Sequence, residues 1–470
     1  MDLAGLYLAA LLAASPAPAG EGWPAWRGAH RDGHAPESAA GPWPENLTRV
    51  WRVEAAPGLS SPVVSGERIY LLGRDGDDEV VTSLSLENGA EIWRRGYPAP
   101  FFANSGAINP RRYPSSRGKG PFATPAAAAD GLFTLGAGRV LSRFDPGSGA
   151  LAWRHTLLPA DLPEAMTYIC PECGCSEDGK EFHEPGVCPD CGMALNPAGL
   201  ETSAQQGGGN YYGAAASPLV VGDLVVVHVG NLGAGQLMAF DARTGETRWE
   251  SPGPIVGYAS PVSATIHRAP QIVALAREGI LGVSAVNGSP LWSVPLPSNA
   301  HVVTPLVAGN LVVAAEYRGP TFALRIRRDG DAWSAAEVWR NEEETLWLSS
   351  PVLDGSTLYG FFFSDKGHFA ALDLETGRAL WKSPGRQGES AALVAAGDVL
   401  AALRDDGTLV IFEKSRKAFH LLRTYPVADS PTWTHPVLVG DRVLVRDESG
   451  LTLWRRIPAA GTDRLGVVDI

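Results

Sequence analysis

AFDARTGETRW, residues 239–249, is a phrase that this 470-residue chain says more than once. ALDLETGRALW closes at Trp381, RFDPGSGALAW at Trp153, SLSLENGAEIW at Trp93 and VSAVNGSPLW at Trp292. A second landmark precedes each: a Ser-Pro or Thr-Pro pair, a short apolar strand, a Gly turn and another apolar strand. The order never changes, and the period is about forty residues, the length of four short strands. Each landmark has a physical reason. The glycines at 89, 149, 245 and 377 follow Asn, Ser or Thr at a hairpin tip, where a left-handed backbone is required. Asp145, Asp241 and Asp373 stand where a carboxylate accepts from the turn amides. The tryptophan on the following strand buries a large area and wedges one sheet against the next.

Four strands repeated without helical periodicity read as propeller blades, and the expected fold is all-β. Trp93, Trp153, Trp249, Trp292, Trp339 and Trp381 each close one blade. A seventh, near residues 390–425, keeps the strand spacing without the tryptophan, and an eighth, from His435, stops one strand short. The motif LTRVWRVEA around Trp51 is a solitary outer strand one period before Trp93. We therefore expect an eight-bladed ring of four-stranded blades in which the N-terminal strand completes the last blade and leaves no open edge. Residues 46–159 would hold the closing strand and blades 1 and 2, residues 212–457 blades 3 to 8, and residues 458–470 a tail.

Composition fits a folded, strand-rich protein: 54 Gly, 37 Pro and 14 Trp, with only 19% charged residues. A net charge of −12 and a pI near 5.4 argue against nucleic acid, which needs a concentrated basic surface. The apolar run Leu3 to Ala14, followed by Ala17-Pro18-Ala19, reads as a signal peptide over residues 1–19 and places the protein in the periplasm or otherwise outside the cytoplasm. No later stretch reads as a transmembrane helix.

The repeat resembles the pyrroloquinoline-quinone (PQQ) repeat propellers, which include quinoprotein dehydrogenases and a lipoprotein of outer-membrane barrel assembly. The opening WPAWRGAHRDGHAPES, residues 23–38, and the Ser60-Ser61-Pro62 strand are similar to a bacterial exported subgroup. The resemblance implies two kinds of function. A dehydrogenase of this kind would hold its quinone in the central funnel with Ca²⁺, an Asp base, a stacking Trp and two adjacent cysteines. No two cysteines are adjacent here, and the blade aspartates sit at repeat-equivalent turn positions. The sequence thus argues against PQQ and Ca²⁺ and for a non-catalytic, monomeric binding or assembly scaffold whose partner is another protein or a cell-envelope component. A PQQ-dependent alcohol or sugar oxidoreductase is the alternative, and a metal-handling protein a further one.

Departures from the repeat are the informative places for function. Between blades 1 and 2, Arg111, Arg112, Arg117 and Lys119 surround Tyr113, a basic and aromatic surface for an anionic ligand or a partner in an otherwise acidic chain. The first strands carry Ser61, Thr124, Ser217, Ser260, Thr304, Ser350 and His435, each before a proline, around a polar channel mouth.

The interval from Trp153 to Trp249 is more than twice the period, and the excess, residues 160–211, contains every cysteine of the chain. Cys170 and Cys173 form one CxxC pair and Cys188 and Cys191 another, with a Gly after each. Two such knuckles bring four sulfurs to the corners of a tetrahedron, which points to Zn²⁺. Cys175 and His183 are alternates. The stretch also resembles a small heavy-metal-binding domain through Tyr168, Cys170, Pro171, Pro185, Gly186, Cys188, Pro189, Cys191, Gly192, Met193 and Leu195. Glu172, Cys173 and Gly174 depart from it, standing where Met, His and Pro belong. An all-thiolate set favours a structural zinc ribbon over a labile copper carrier.

Overall fold

The computed structural model describes residues 22–99, 120–157, 167–170, 174–184, 186–192, 195–197, 213–230, 235–254, 256–297 and 301–456. Eight antiparallel four-stranded sheets follow one another along the chain, each with its strands in sequence order except the last. Blade 1 runs through Val63–Ser65, Arg68–Asp75, Asp78–Ser85 and Glu91–Pro98. The last blade is built from Val437–Val439, Arg442–Arg446 and Gly450–Arg455, and its fourth strand is Thr48–Glu54 from the other end of the fold. Thr48 faces Arg455 and Glu54 faces Gly450 in an antiparallel register with one bulge near Trp51. Among the described residues the helical content is two 3-10 turns, Glu37–Ala39 and Ser364–Lys366. Among the described residues no helix is long and apolar enough to cross a membrane.

The apolar core lies between blades rather than within them. One cluster joins Val63 and Leu72 of blade 1 to Leu132 and Phe144 of blade 2. Another joins Trp339 of blade 5 to Leu358 and Leu372 of blade 6. The cluster that closes the ring runs from Ile411 and Tyr425 through Leu444 and Leu453 to Ile69 and Leu84 of blade 1. A blade buries its faces only when both neighbours are present, so the ring gains its hydrophobic stabilisation as a unit.

The repeated tryptophan is the inter-blade lock. Four of these indoles, and Trp51 with them, lie over the turn glycine of the next blade and donate to a carbonyl of that turn. Trp93 Nε1 donates to the Pro146 carbonyl at 3.1 Å, Trp153 to Ala242 at 3.2 Å, Trp249 to Ala285 at 3.2 Å and Trp339 to Leu374 at 2.8 Å. Trp51 does the same from the last blade to the first, donating to Glu87 at 3.2 Å. Gly377 shows why the turn needs glycine: its φ is +68°, and a Cβ there would meet Trp339 at 2.3 Å. The Asx contacts read from the sequence are present, with Asp145 Oδ1 accepting from the Ser148 amide at 2.7 Å and Asp241 Oδ1 from Thr244 at 2.8 Å.

The Ser/Thr-Pro pairs form a second lock, which spacing alone did not reveal. Five of these hydroxyls accept from the equivalent backbone amide of a neighbouring blade. His435 N donates to Ser61 Oγ at 2.9 Å, Ser61 N to Thr124 Oγ1 at 3.1 Å, Thr124 N to Ser217 Oγ at 2.9 Å and Ser217 N to Ser260 Oγ at 2.9 Å. Thr304 N and Ser350 Oγ continue the belt at 3.0 Å. The following proline contributes no amide to the ladder, so its hydroxyl-bearing neighbour is held extended toward the next blade.

Two outcomes test this construction. Deleting residues 46–55 removes the fourth strand of the last blade together with Trp51, and should lower the melting temperature of the whole ring in one transition; wild-type melting would refute the latch. Gly377→Ala places a side chain in a left-handed backbone, costing about 1–3 kcal/mol before its clash with the indole is counted. Thermal denaturation should show a loss of at least that size, and an unchanged midpoint would contradict the docking geometry.

Candidate metal centre

In the long interval between blades 2 and 3, the chain forms a small three-stranded sheet of Tyr168–Ile169, Glu181–Phe182 and Asn196–Pro197, with Tyr168–Ile169 in the middle. Cys170 directly follows the middle strand, and its carbonyl accepts from Gly179 N at 3.3 Å. The second knuckle is a tight turn: Gly192, at φ +70°, donates from its amide to the Cys188 carbonyl at 2.9 Å, and Leu195 N closes on Gly186 O at 2.8 Å. Asp190 ties the two knuckles together, its Oδ2 accepting from the Ser176 amide at 2.8 Å and the Ser176 hydroxyl at 2.9 Å. Those bonds hold its carboxyl below the usual range. Asp178 supports the first knuckle through the Gly174 amide at 2.7 Å.

These turns gather four thiols. The sulfurs of Cys170, Cys175, Cys188 and Cys191 all lie within 4.8 Å of one another. Cys170 Sγ is 3.6 Å from both Cys175 Sγ and Cys191 Sγ, and Cys175 Sγ is 3.9 Å from Cys188 Sγ. Four sulfurs bonded to one ion at about 2.3 Å stand about 3.8 Å apart along the edges of a tetrahedron, whereas a disulfide closes to about 2.05 Å. The observed spacing is that of metal ligands. Cys170 and Cys188 are each 1% exposed, which excludes water from one side of the cluster. Burial, followed by contact with Cys188, Cys175 and Cys191, pushes the Cys170 thiol far up. A divalent thiophilic ion is the partner that would favour the thiolates. The Glu177 amide also donates to Cys175 Sγ, at 3.4 Å, as amides do to metal-bound sulfur.

Three of the four residues expected to ligate, Cys170, Cys188 and Cys191, are in this group, and the fourth sulfur is Cys175, which the spacing left as an alternate. Cys173 lies outside the described residues. His183 is exposed and is not part of the gathered set. Arg111, Arg112, Tyr113, Arg117 and Lys119, the expected basic surface, also lie outside the described residues, as do residues 1–19.

Comparison with known proteins agrees with both parts. The family model described as "Outer membrane protein assembly factor BamB", a PQQ-repeat model, matches residues 45–168, 202–383 and 331–461, and the model "Heavy metal binding domain" matches residues 167–198. The "Outer membrane protein assembly factor BamB" of Burkholderia pseudomallei is 25% identical over 346 residues, 70% of this chain and 82% of the relative. Among solved structures, BamB from Moraxella catarrhalis superposes with a TM-score of 0.51 at 14% identity, covering 87% of this chain and 99% of that one. Quinohemoprotein alcohol dehydrogenase from Comamonas testosteroni gives a TM-score of 0.61 at 12% identity, covering 95% of this chain and 83% of that one. These two likenesses concern the fold.

The thiol cluster predicts that the purified protein carries about one equivalent of tightly held metal. Cys188→Ser should release it, as measured by inductively coupled plasma mass spectrometry on desalted protein. Oxidised thiols with no metal in the wild type, or full metal retention in the variant, would contradict the assignment.

Proposed function

The chain belongs to the PQQ-repeat propeller family whose model is described as outer membrane protein assembly factor BamB, and on that premise we propose that it is an exported, periplasmic scaffold for protein assembly in the cell envelope. The single observation that carries the reading is the match across most of the ring to a family and a relative both named for outer-membrane protein assembly. The chemistry of the blades supports it. Asp145, Asp241 and Asp373 are engaged by the backbone amides and hydroxyls of their own turns, so the repeat carboxylates are turn supports rather than bases. A scaffold of this kind needs a rigid rim, and the two inter-blade locks supply one.

The insert serves as a docking module stapled by Zn²⁺, held by Cys170, Cys188, Cys191 and a fourth thiolate from Cys173 or Cys175. It is too small to bury a core of its own, and the ion would contribute its folding free energy. Export is supported by the Leu3–Ala14 run and its Ala-Pro-Ala sequel.

In the organism that encodes it, removing the chain should lower the amount of folded, heat-modifiable outer-membrane β-barrel protein, and restoring it should recover that amount. The purified protein supplied with PQQ and Ca²⁺ should show no dye-linked alcohol or sugar oxidation. Unchanged barrel content together with PQQ-dependent oxidation would overturn the scaffold reading in favour of an oxidoreductase.

A further inference from the structure

The stretch Trp23 to Ser38 has no place in the blade repeat, yet it touches the inner edge of every blade. Trp23 forms an antiparallel bridge with Val64 of blade 1, and the Pro24 carbonyl accepts from Ala127 of blade 2 at 2.8 Å. Arg31 donates to the carbonyls of Ser217, at 3.2 Å, and Pro218 in blade 3, and to Pro261 in blade 4 at 2.9 Å. Trp26 Nε1 donates to Thr304 Oγ1 of blade 5 at 2.9 Å, and Arg27 donates to the Pro351 carbonyl of blade 6. His34 bridges Ala395 of blade 7 in parallel, and Trp26 stands edge-on to His435 of blade 8, ring centroids 4.8 Å apart. A short segment that reaches all eight inner strands lies across the axis of the ring.

What holds it there is unusual chemistry. Arg27 is 1% and Arg31 4% exposed, and among the described residues neither forms an ion pair. A buried charge ordinarily demands a counter-charge. Arg31 has instead a set of main-chain carbonyls from the Ser-Pro pairs, oxygens that converge on the axis because seven equivalent strands begin with that dipeptide or its Thr or His counterpart. A planar fork of five N–H donors satisfies several such acceptors at once, which an ammonium cannot do with the same geometry. Burial lowers the Arg31 pKa to about 9 and, with a smaller opposing effect of Asp32, that of Arg27 to about 10, so both remain cations at neutral pH. The fit is close: a Cβ at Gly33, whose φ is +84°, would meet the Arg27 guanidinium and Val352 at 2.9 Å each. His435, buried and beside Arg27, has its pKa driven well below the usual value and adds no competing positive charge. The space left beside Trp26, Ser349, Ser350 and His435 is a cavity of about 40 Å³, against roughly 300 Å³ or more for ordinary small-molecule sites.

We propose that the carbonyl-lined axis of the ring is a guanidinium-binding site, which the chain fills with its own Arg31 and Arg27, making residues 23–38 an internal peptide ligand that joins the eight blades. The site selects a planar cation with several donors, and its occupant is covalently supplied.

Chemical rescue tests this in the full-length chain. Arg31→Ala should melt lower by about 5 °C or more, and millimolar methylguanidinium should raise the midpoint of the variant without raising that of the wild type. Methylammonium, equal in charge but lacking the fork, should leave the variant where it is. Arg31→Lys should melt below wild type for the same reason and provides the same rescue experiment if the alanine variant does not accumulate. Wild-type melting of both variants, or an equal response of variant and wild type to methylguanidinium, would overturn the proposal.

Discussion

An indole lying over the turn glycine of the next blade is the contact on which the rest of this ring depends. The apolar clusters lie between sheets, so no blade has a complete core until its neighbour is seated, and Trp93, Trp153, Trp249 and Trp339 set that seating by burying a large ring and fixing its edge with one hydrogen bond. The glycine is the other half of the contact, since at Gly149 a Cβ would meet Trp93 at 2.6 Å. Trp51 makes the arrangement circular. It belongs to the strand that completes the last blade, and it docks on the first. Pairing of the two ends and docking of the last blade on the first are therefore properties of one seven-residue strand.

Two further systems act at smaller radius. The Ser/Thr hydroxyls link successive blades around the inner edge, and residues 23–38 cross the axis with two guanidiniums among backbone carbonyls. Outer indoles, inner hydroxyls and axial arginines constrain the same degree of freedom, the angle between neighbouring blades, at different distances from the centre. A surface borne by such a ring keeps its geometry while its loops vary. Where the pattern lapses, the substitute is local: Trp292 donates to Gln271 of its own blade at 2.8 Å, and in the blade without a tryptophan the Val427 carbonyl accepts from Trp454 of the next at 3.1 Å.

The blade count, the four-strand unit and the closing strand were legible because a repeat states the same local requirement many times, and the Trp51 phrase could only be the missing strand of the incomplete final blade. The belt was not legible, because Ser-Pro has sufficient local reasons to exist and nothing in spacing says that its hydroxyl reaches the next blade. Residues 23–38 were set apart by their composition, but an arginine reads as a surface residue until the carbonyls around it are seen. The thiol centre stands between these cases. Spacing located the cluster, and the turn through Gly174 to Asp178 brings Cys175 into it, a choice that depends on backbone hydrogen bonds rather than on residue order.

Hydrogen exchange followed by mass spectrometry on the intact protein tests the central claim, that indole docking makes the ring one cooperative unit. The claim predicts that outer-strand amides of Thr48–Glu54, where the ring closes, and of Thr247–Gly253, in an uninterrupted blade, share one opening free energy in their slowest-exchanging amides. Early, independent exchange of Thr48–Glu54, with the other blade still protected, would contradict it.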